Sequence, residues 1–160
     1  MQAAKDTFYC TLRDRLAAEH PDWTMTLDGV ERPAVMVCEN ERAHDEDPTG
    51  VYCLEWSAAK GADGRMDGLC TMACHVTYAA GDAQMDAGAS RGRALGTMEQ
   101  TLRSICVPNV MDKCAYDGDT PIPLGTKVFW TAPVAGDSSE ENGVLRWTAD
   151  VTVYFYPEAA

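Results

Sequence analysis

The sequence predicts an α+β fold, a mostly antiparallel β-sheet with two helices packed on it and a long projecting β-hairpin. Three observations lead there. Two segments repeat apolar residues every three or four positions, the period of a helix with one buried face. The last segment before Pro157 alternates apolar and polar residues with period two, the pattern of a half-buried strand. Between them, short apolar runs are bounded by glycine and proline turn signals.

Ala4, Phe8, Leu12 and Leu16 predict a first helix over Gln2–Glu19, with Cys10 and Ala17 widening its stripe. His20-Pro21 ends it, because the residue before a proline is driven sterically out of helical geometry. Arg13, Asp14, Arg15 and Glu19 fall on the outer face, where solvation is expected. Trp23–Leu27 and Pro33–Cys38 read as strands around an Asp28-Gly29 turn. Glu39–Gly50 reads as a polar loop. Its Asp45-Glu46-Asp47 cluster, after His44, lacks the ligand spacing of an EF-hand. Val51–Ser57 and Leu69–Tyr78 form the next strand pair. The Gly-rich, charged Ala58–Gly68 between them is longer than a hairpin turn needs, which predicts a projecting tip available for contact. Its Gly61 and Gly64 are not followed by the helix and Lys-Ser/Thr of a phosphate loop.

Leu95, Met98, Leu102 and Ile105 mark a second helix, starting at Asp86 or Ser90 and ending at Ile105. Gly92 and Gly96, four apart, predict close backbone packing at about 1 kcal/mol of helix propensity each. Asn109–Tyr116 is a strand, Asp117–Pro123 a turn region, Lys127–Ala132 a strand and Gly136–Gly143 a polar loop. In Leu145–Tyr156, Leu145, Trp147, Ala149, Val151, Val153 and Phe155 alternate with polar residues. No repeat or linker divides the chain, so residues 1–160 are expected to form one domain.

Composition narrows the function classes. Asp and Glu total 25 against 13 Lys and Arg, a formal charge of −12, which argues against a general nucleic-acid binder that must neutralise phosphates. With 46% apolar and 24% charged residues the chain is not a disordered acidic tail. No run approaches the ~18 apolar residues of a membrane helix. Charges spread through MQAAKDTFYCTLRDRL, so no signal peptide is expected. Seven cysteines, an odd number, fit free thiols in a reducing compartment.

Cys70, Cys74 and His75 are the candidate metal ligands. No second close ligand pair accompanies them, and strand alternation puts the two cysteines on one face and His75 on the other. Core packing is the favoured reading of both thiols. The other histidines, His20 and His44, stand in no nucleophile-elbow or HExxH context, and the carboxylates are scattered. The chain is therefore read as non-enzymatic, with no cofactor or metal. Arg91, Arg93 and Arg103 form the basic concentration of the sequence, too small for nucleic-acid binding and suited to subunit salt bridges or a solvated face.

Taken together, the segments DTFYCTLRDRLAAEHP, RPAVMVCENE, RGRALGTMEQTLRSI, KVFWTAP and LRWTADVTVYFYPE, in this order, resemble the tail terminator (tail completion) proteins of tailed bacteriophages and prophage-derived tails. The likeness spans nearly the whole chain. It implies a virion protein made in the bacterial host cytoplasm and placed at the tail or neck. It implies a homohexameric ring that caps the tail tube, ends its polymerisation and joins it to head–tail connector proteins. Genome DNA would pass through the lumen without specific binding, and no membrane is involved. Such a ring needs two complementary faces per subunit. Candidate subunit and partner contacts are Lys60 and Arg65 in the hairpin tip, Arg91 and Arg93 on the second helix, and Asp137, Glu140 and Glu141 in the polar loop. Two readings stay beside it: a head–tail connector or neck protein, and a metal- or ligand-binding domain using Cys70, Cys74 and His75.

Overall fold

The computed structural model describes residues 1–38, 49–81 and 89–158. In chain order the elements are α1 (Gln2–Glu19), β1 (Thr24–Leu27), β2 (Val30–Pro33), β3 (Val35–Val37), β4 (Tyr52–Trp56), β5 (Lys60–Gly61), β6 (Cys70–Gly81), α2 (Ala89–Ile105), β7 (Val110–Ala115), β8 (Ile122–Trp130), β9 (Val134–Glu141) and β10 (Val144–Phe155). The α+β class holds. The expected loop over Glu39–Gly50 falls, apart from Thr49 and Gly50, outside the described residues, as does Asp86.

Two twelve-residue strands form the spine. β6 and β10 pair antiparallel along their full length, from Val144 opposite Gly81 to Phe155 opposite Cys70. The sheet runs β3-β4-β6-β10-β8-β7, with β5 also on β6 and β9 also on β10. Its pairings are antiparallel except β3 with β4. β1 and β2 make a separate hairpin. Its Asp28-Gly29 turn has both residues at positive φ (51° and 79°), the I′ geometry that matches strand twist.

Alternation decides what is buried. Cys70, Met72, Cys74, Val76 and Tyr78 of β6 and Ala149, Val151, Val153 and Phe155 of β10 point into one core with both helices. α1 contributes Ala4, Phe8, Leu12 and Leu16, all fully buried, and α2 contributes Leu95, Met98, Leu102 and Ile105. Phe8 sits edge-on between Trp56 and Trp130, at ring separations of 5.5 and 5.1 Å. Arg15 is not simply solvated: it donates to the carbonyls of Ile105 and Val107, which satisfies the end of α2 and ties the helices together.

Over the range expected to form a hairpin, residues 51–78, the chain makes an antiparallel pair within the sheet. β4 pairs with β6 as far as Trp56 opposite Cys74, and after a one-residue shift the same antiparallel ladder continues to Lys60 opposite Thr71 and Gly61 opposite Cys70. The tip shrinks to the turn closed by the Ala62 amide on the Leu69 carbonyl. A second hairpin joins β9 to β10, whose other side is paired with β6.

Candidate functional site

Sequence alone predicts a polar loop over Gly136–Gly143, but the chain forms a strand and a tight turn there. β9 runs Val134–Glu141, and Asn142-Gly143 returns it into β10 with φ of 52° and 79°. The Asn-Gly dipeptide favours this turn because both central residues need positive φ. All eight residues of β9 are exposed, so no face carries the apolar alternation that betrays a half-buried strand.

Near its middle the β9–β10 ribbon carries a bulge. Trp147 lies opposite Ser138 and Ala149 opposite Ala135, so Gly136 and Asp137 together face Thr148. The Thr148 hydroxyl donates to the Asp137 carbonyl at 2.9 Å. It occupies the space of a side chain at residue 136, since a Cβ there would sit 2.5 Å from the Thr148 Oγ1. Glycine is the residue this bulge admits.

At the turn, Arg91 of α2 clamps the ribbon. It donates to the Gly143 carbonyl and to the Glu140 carboxylate, both at 2.9 Å, with its own side chain only 12% exposed. Two candidate contacts, Arg91 and Glu140, are thus joined within one subunit. Arg93 is exposed two positions on, and Asp137 and Glu141 are exposed on β9.

Lys60 and Arg65 occupy the other end of the sheet. The tip precedes Cys70, which pairs with Phe155, whereas the Asn142-Gly143 turn adjoins Val144, which pairs with Gly81. At ~3.4 Å per residue the ladder separates them by about 37 Å. Both cations are exposed. The tip is tightly wound: the Arg65 amide donates to the Asp63 carboxylate at 3.0 Å, and a Cβ on Gly61 would lie 1.6 Å from the Arg65 carbonyl oxygen.

The proposed metal-ligand set is not brought together. Cys70 and Cys74 are fully buried in the core, while His75 is on the opposite face of β6, bonded through Nδ1 to Asp150 at 2.7 Å. Among the described residues no group of three or more His, Cys, Asp or Glu side chains is placed to hold a metal. Burial pushes the Cys106 thiol up to about 12 and also raises Cys10, the opposite of what activates a thiolate. A cleft of about 600 Å³ lies beside α2 among Trp23, Gly50, Ala79, Ala80, Ala94 and Met98, and among the described residues no titratable side chain lines it.

One charged site escapes sequence reading. Lys113 on β7 is fully buried and donates to the Tyr156 carbonyl, with the Glu158 carboxylate 3.3 Å away. Glu158 also accepts from the Met1 ammonium at 3.1 Å. The only hint in the sequence is the lysine's place within a predicted strand; its partner lies 45 positions on, beyond Pro157.

No family model matches the chain, and no curated protein matches it. One solved structure, which bears a sequence identifier in place of a descriptive name, is similar to it from end to end. The match has a TM-score of 0.50 at 11% identity and covers 98% of this chain and 97% of that one. At this identity the likeness concerns the fold alone.

Proposed function

We propose that this chain is a structural assembly subunit of a phage-type tail, acting as a tail terminator that forms a ring, caps the tail tube and joins it to the head-side connector. The observation that supports this most is the placement of the contact candidates. Lys60 and Arg65 stand at one end of the β6–β10 ladder and Glu140, Glu141 and Arg91 at the other, with Asp137 opposite Thr148 between them. A subunit that closes a ring by head-to-tail contacts needs two different, separated surfaces of this kind. The formal charge of −12 suits a ring through which DNA slides, since few cations are present to hold phosphates.

The test is imaging and light scattering of the purified full chain, followed by mixing with polymerised tail-tube protein. A six-membered ring with a central hole that arrests tube growth is the expected result. Binding to portal-side rings without tube capping would replace the terminator with a connector. A monomer that binds neither would overturn the reading.

A further inference from the structure

Beside α2 the helix-covered face of the sheet stays partly open. Trp147 and Tyr78, directly opposite each other on β10 and β6, hold their rings 6.4 Å apart and inclined at 69°. With Glu99 of α2 on one side and Gly136 and Ser138 of β9 on the other, they line a hollow of about 220 Å³. Two aromatic rings set nearly at right angles, with a carboxylate beside them, are a pattern that holds organic cations, because ring faces carry negative electrostatic potential.

The polar groups of the hollow are available. Tyr78 is 3% exposed, and among the described residues its hydroxyl has no hydrogen-bond partner, although buried hydroxyls normally find one. The Glu99 carboxylate accepts Arg103 through Oε1 at 2.7 Å, and its Oε2 has no partner among the described residues. Arg103 does not cancel Glu99 at the floor. Burial pushes the Tyr78 hydroxyl up to about 12, Glu99 adds to the rise, and Arg103 offsets less than Glu99 adds. The Arg103 side chain is itself 66% exposed, where solvent screens it. Asp137, exposed between Gly136 and Ser138, puts a second carboxylate beside the rim.

We propose that this hollow between α2 and β9 binds an organic cation, a guanidinium or ammonium group seated against Trp147 and Tyr78 with Glu99 as its counter-ion. The volume suits such a head group with a short aliphatic stem and is below that of a drug-sized ligand. The same group is carried by an arginine or lysine side chain of a partner and by small free cations. The proposal stands whether or not the chain is a tail subunit.

Titration of the full chain with N-acetyl-arginine amide, followed through the indole N–H resonance of Trp147, tests it. Trp147→Phe assigns that resonance among the four tryptophans. A saturable shift is expected, with binding about tenfold weaker for the uncharged isostere N-acetyl-citrulline amide. Glu99→Gln is expected to weaken binding about tenfold, and Arg103→Gln to tighten it by about threefold, because it releases the carboxylate. Opposite signs distinguish a counter-ion from a merely structural pair, and the dispersion of the amide spectrum checks the fold of each variant. Methylguanidinium as a second probe separates the sources. Affinity equal to the arginine amide supports a free cation, and weaker affinity supports a partner's side chain. No saturable shift up to ~50 mM arginine amide, equal binding of the citrulline amide, or weakening by both substitutions would overturn the site.

Discussion

β10 passes through two environments, and the contrast between them explains how the molecule divides its work. From Ala149 to Phe155 its inward residues are buried beneath the helices. From Val144 to Thr148 every residue is partly exposed, and its neighbour β9 is exposed throughout. The buried half is held by packing, where each side chain removes apolar surface from water. The outer half is paired with β6 and packs Leu145 and Trp147 against the core, and on its β9 side it is held by an Asn-Gly turn, a glycine bulge and the Arg91 clamp. A strand without a buried face has little of its own to stabilise it, so its sequence is free to serve a surface role. Substitutions in the body are therefore expected to cost stability, and substitutions in the ribbon to alter local order and association.

The largest effect is expected in the body. Phe8 is fully buried with edge-on contacts to Trp56 and Trp130, so Phe8→Ala removes a ring and leaves a cavity between two large aromatics. The expected loss is about 3–5 kcal/mol in urea unfolding. A loss below about 1 kcal/mol would mean that the site collapses around the gap and that packing there is not the main support.

The same contrast explains what was legible beforehand. Periodicity reports burial rather than secondary structure itself. The α1 stripe of Ala4, Phe8, Leu12 and Leu16 and the alternation of β10 were readable because each has one face in the core. β9, written Val-Ala-Gly-Asp-Ser-Ser-Glu-Glu, has no such face, and its signal was the Asn-Gly turn after it. The start of β8 was hidden similarly, since Ile122–Gly125 are exposed and contain a proline and a glycine. Contacts that depend on register were not readable at all. His75 meets Asp150, and Arg91 meets Glu140, only because strands and helix are aligned by the whole fold. Of the candidate contacts, Lys60, Arg65, Arg93, Asp137 and Glu141 are exposed, whereas Arg91 and Glu140 neutralise each other inside the subunit.

A smaller and more local effect is expected at the bulge. Gly136→Val must displace the Thr148 hydroxyl and with it the bond to the Asp137 carbonyl, at a cost of about 1–2 kcal/mol. Amide exchange is the measurement: protection should fall in β9 and the facing part of β10, while amides of β6 and α1 keep theirs. Faster exchange throughout the molecule would show that ribbon and body form one cooperative unit, which would break the division drawn between them.

The smallest effect concerns the opposite end of the ladder, where the Lys113–Glu158 clamp is the counterpart of Arg91–Glu140. Burial by itself disfavours the Glu158 carboxylate. Hydrogen bonds from its own backbone amide, the Met1 ammonium and Lys113 outweigh that, and its pKa lies below the ordinary glutamate value. A lowered folded pKa stabilises the protein above the unfolded value of about 4.3 and ceases to do so as pH falls through the folded one. Glu158→Gln should therefore cost stability at pH 6–7, by roughly 1 kcal/mol or less because the carboxylate is 37% exposed. The gap to wild type should close below about pH 4, where the wild-type side chain also becomes neutral. Urea unfolding at pH 7, 5, 4 and 3 gives the comparison. A gap that persisted unchanged at pH 3 would mean that Glu158 acts through shape rather than charge. Lys113, fully buried, would then rest on the Tyr156 carbonyl alone, and the body would be held at this end by backbone contacts, as the ribbon is at the other.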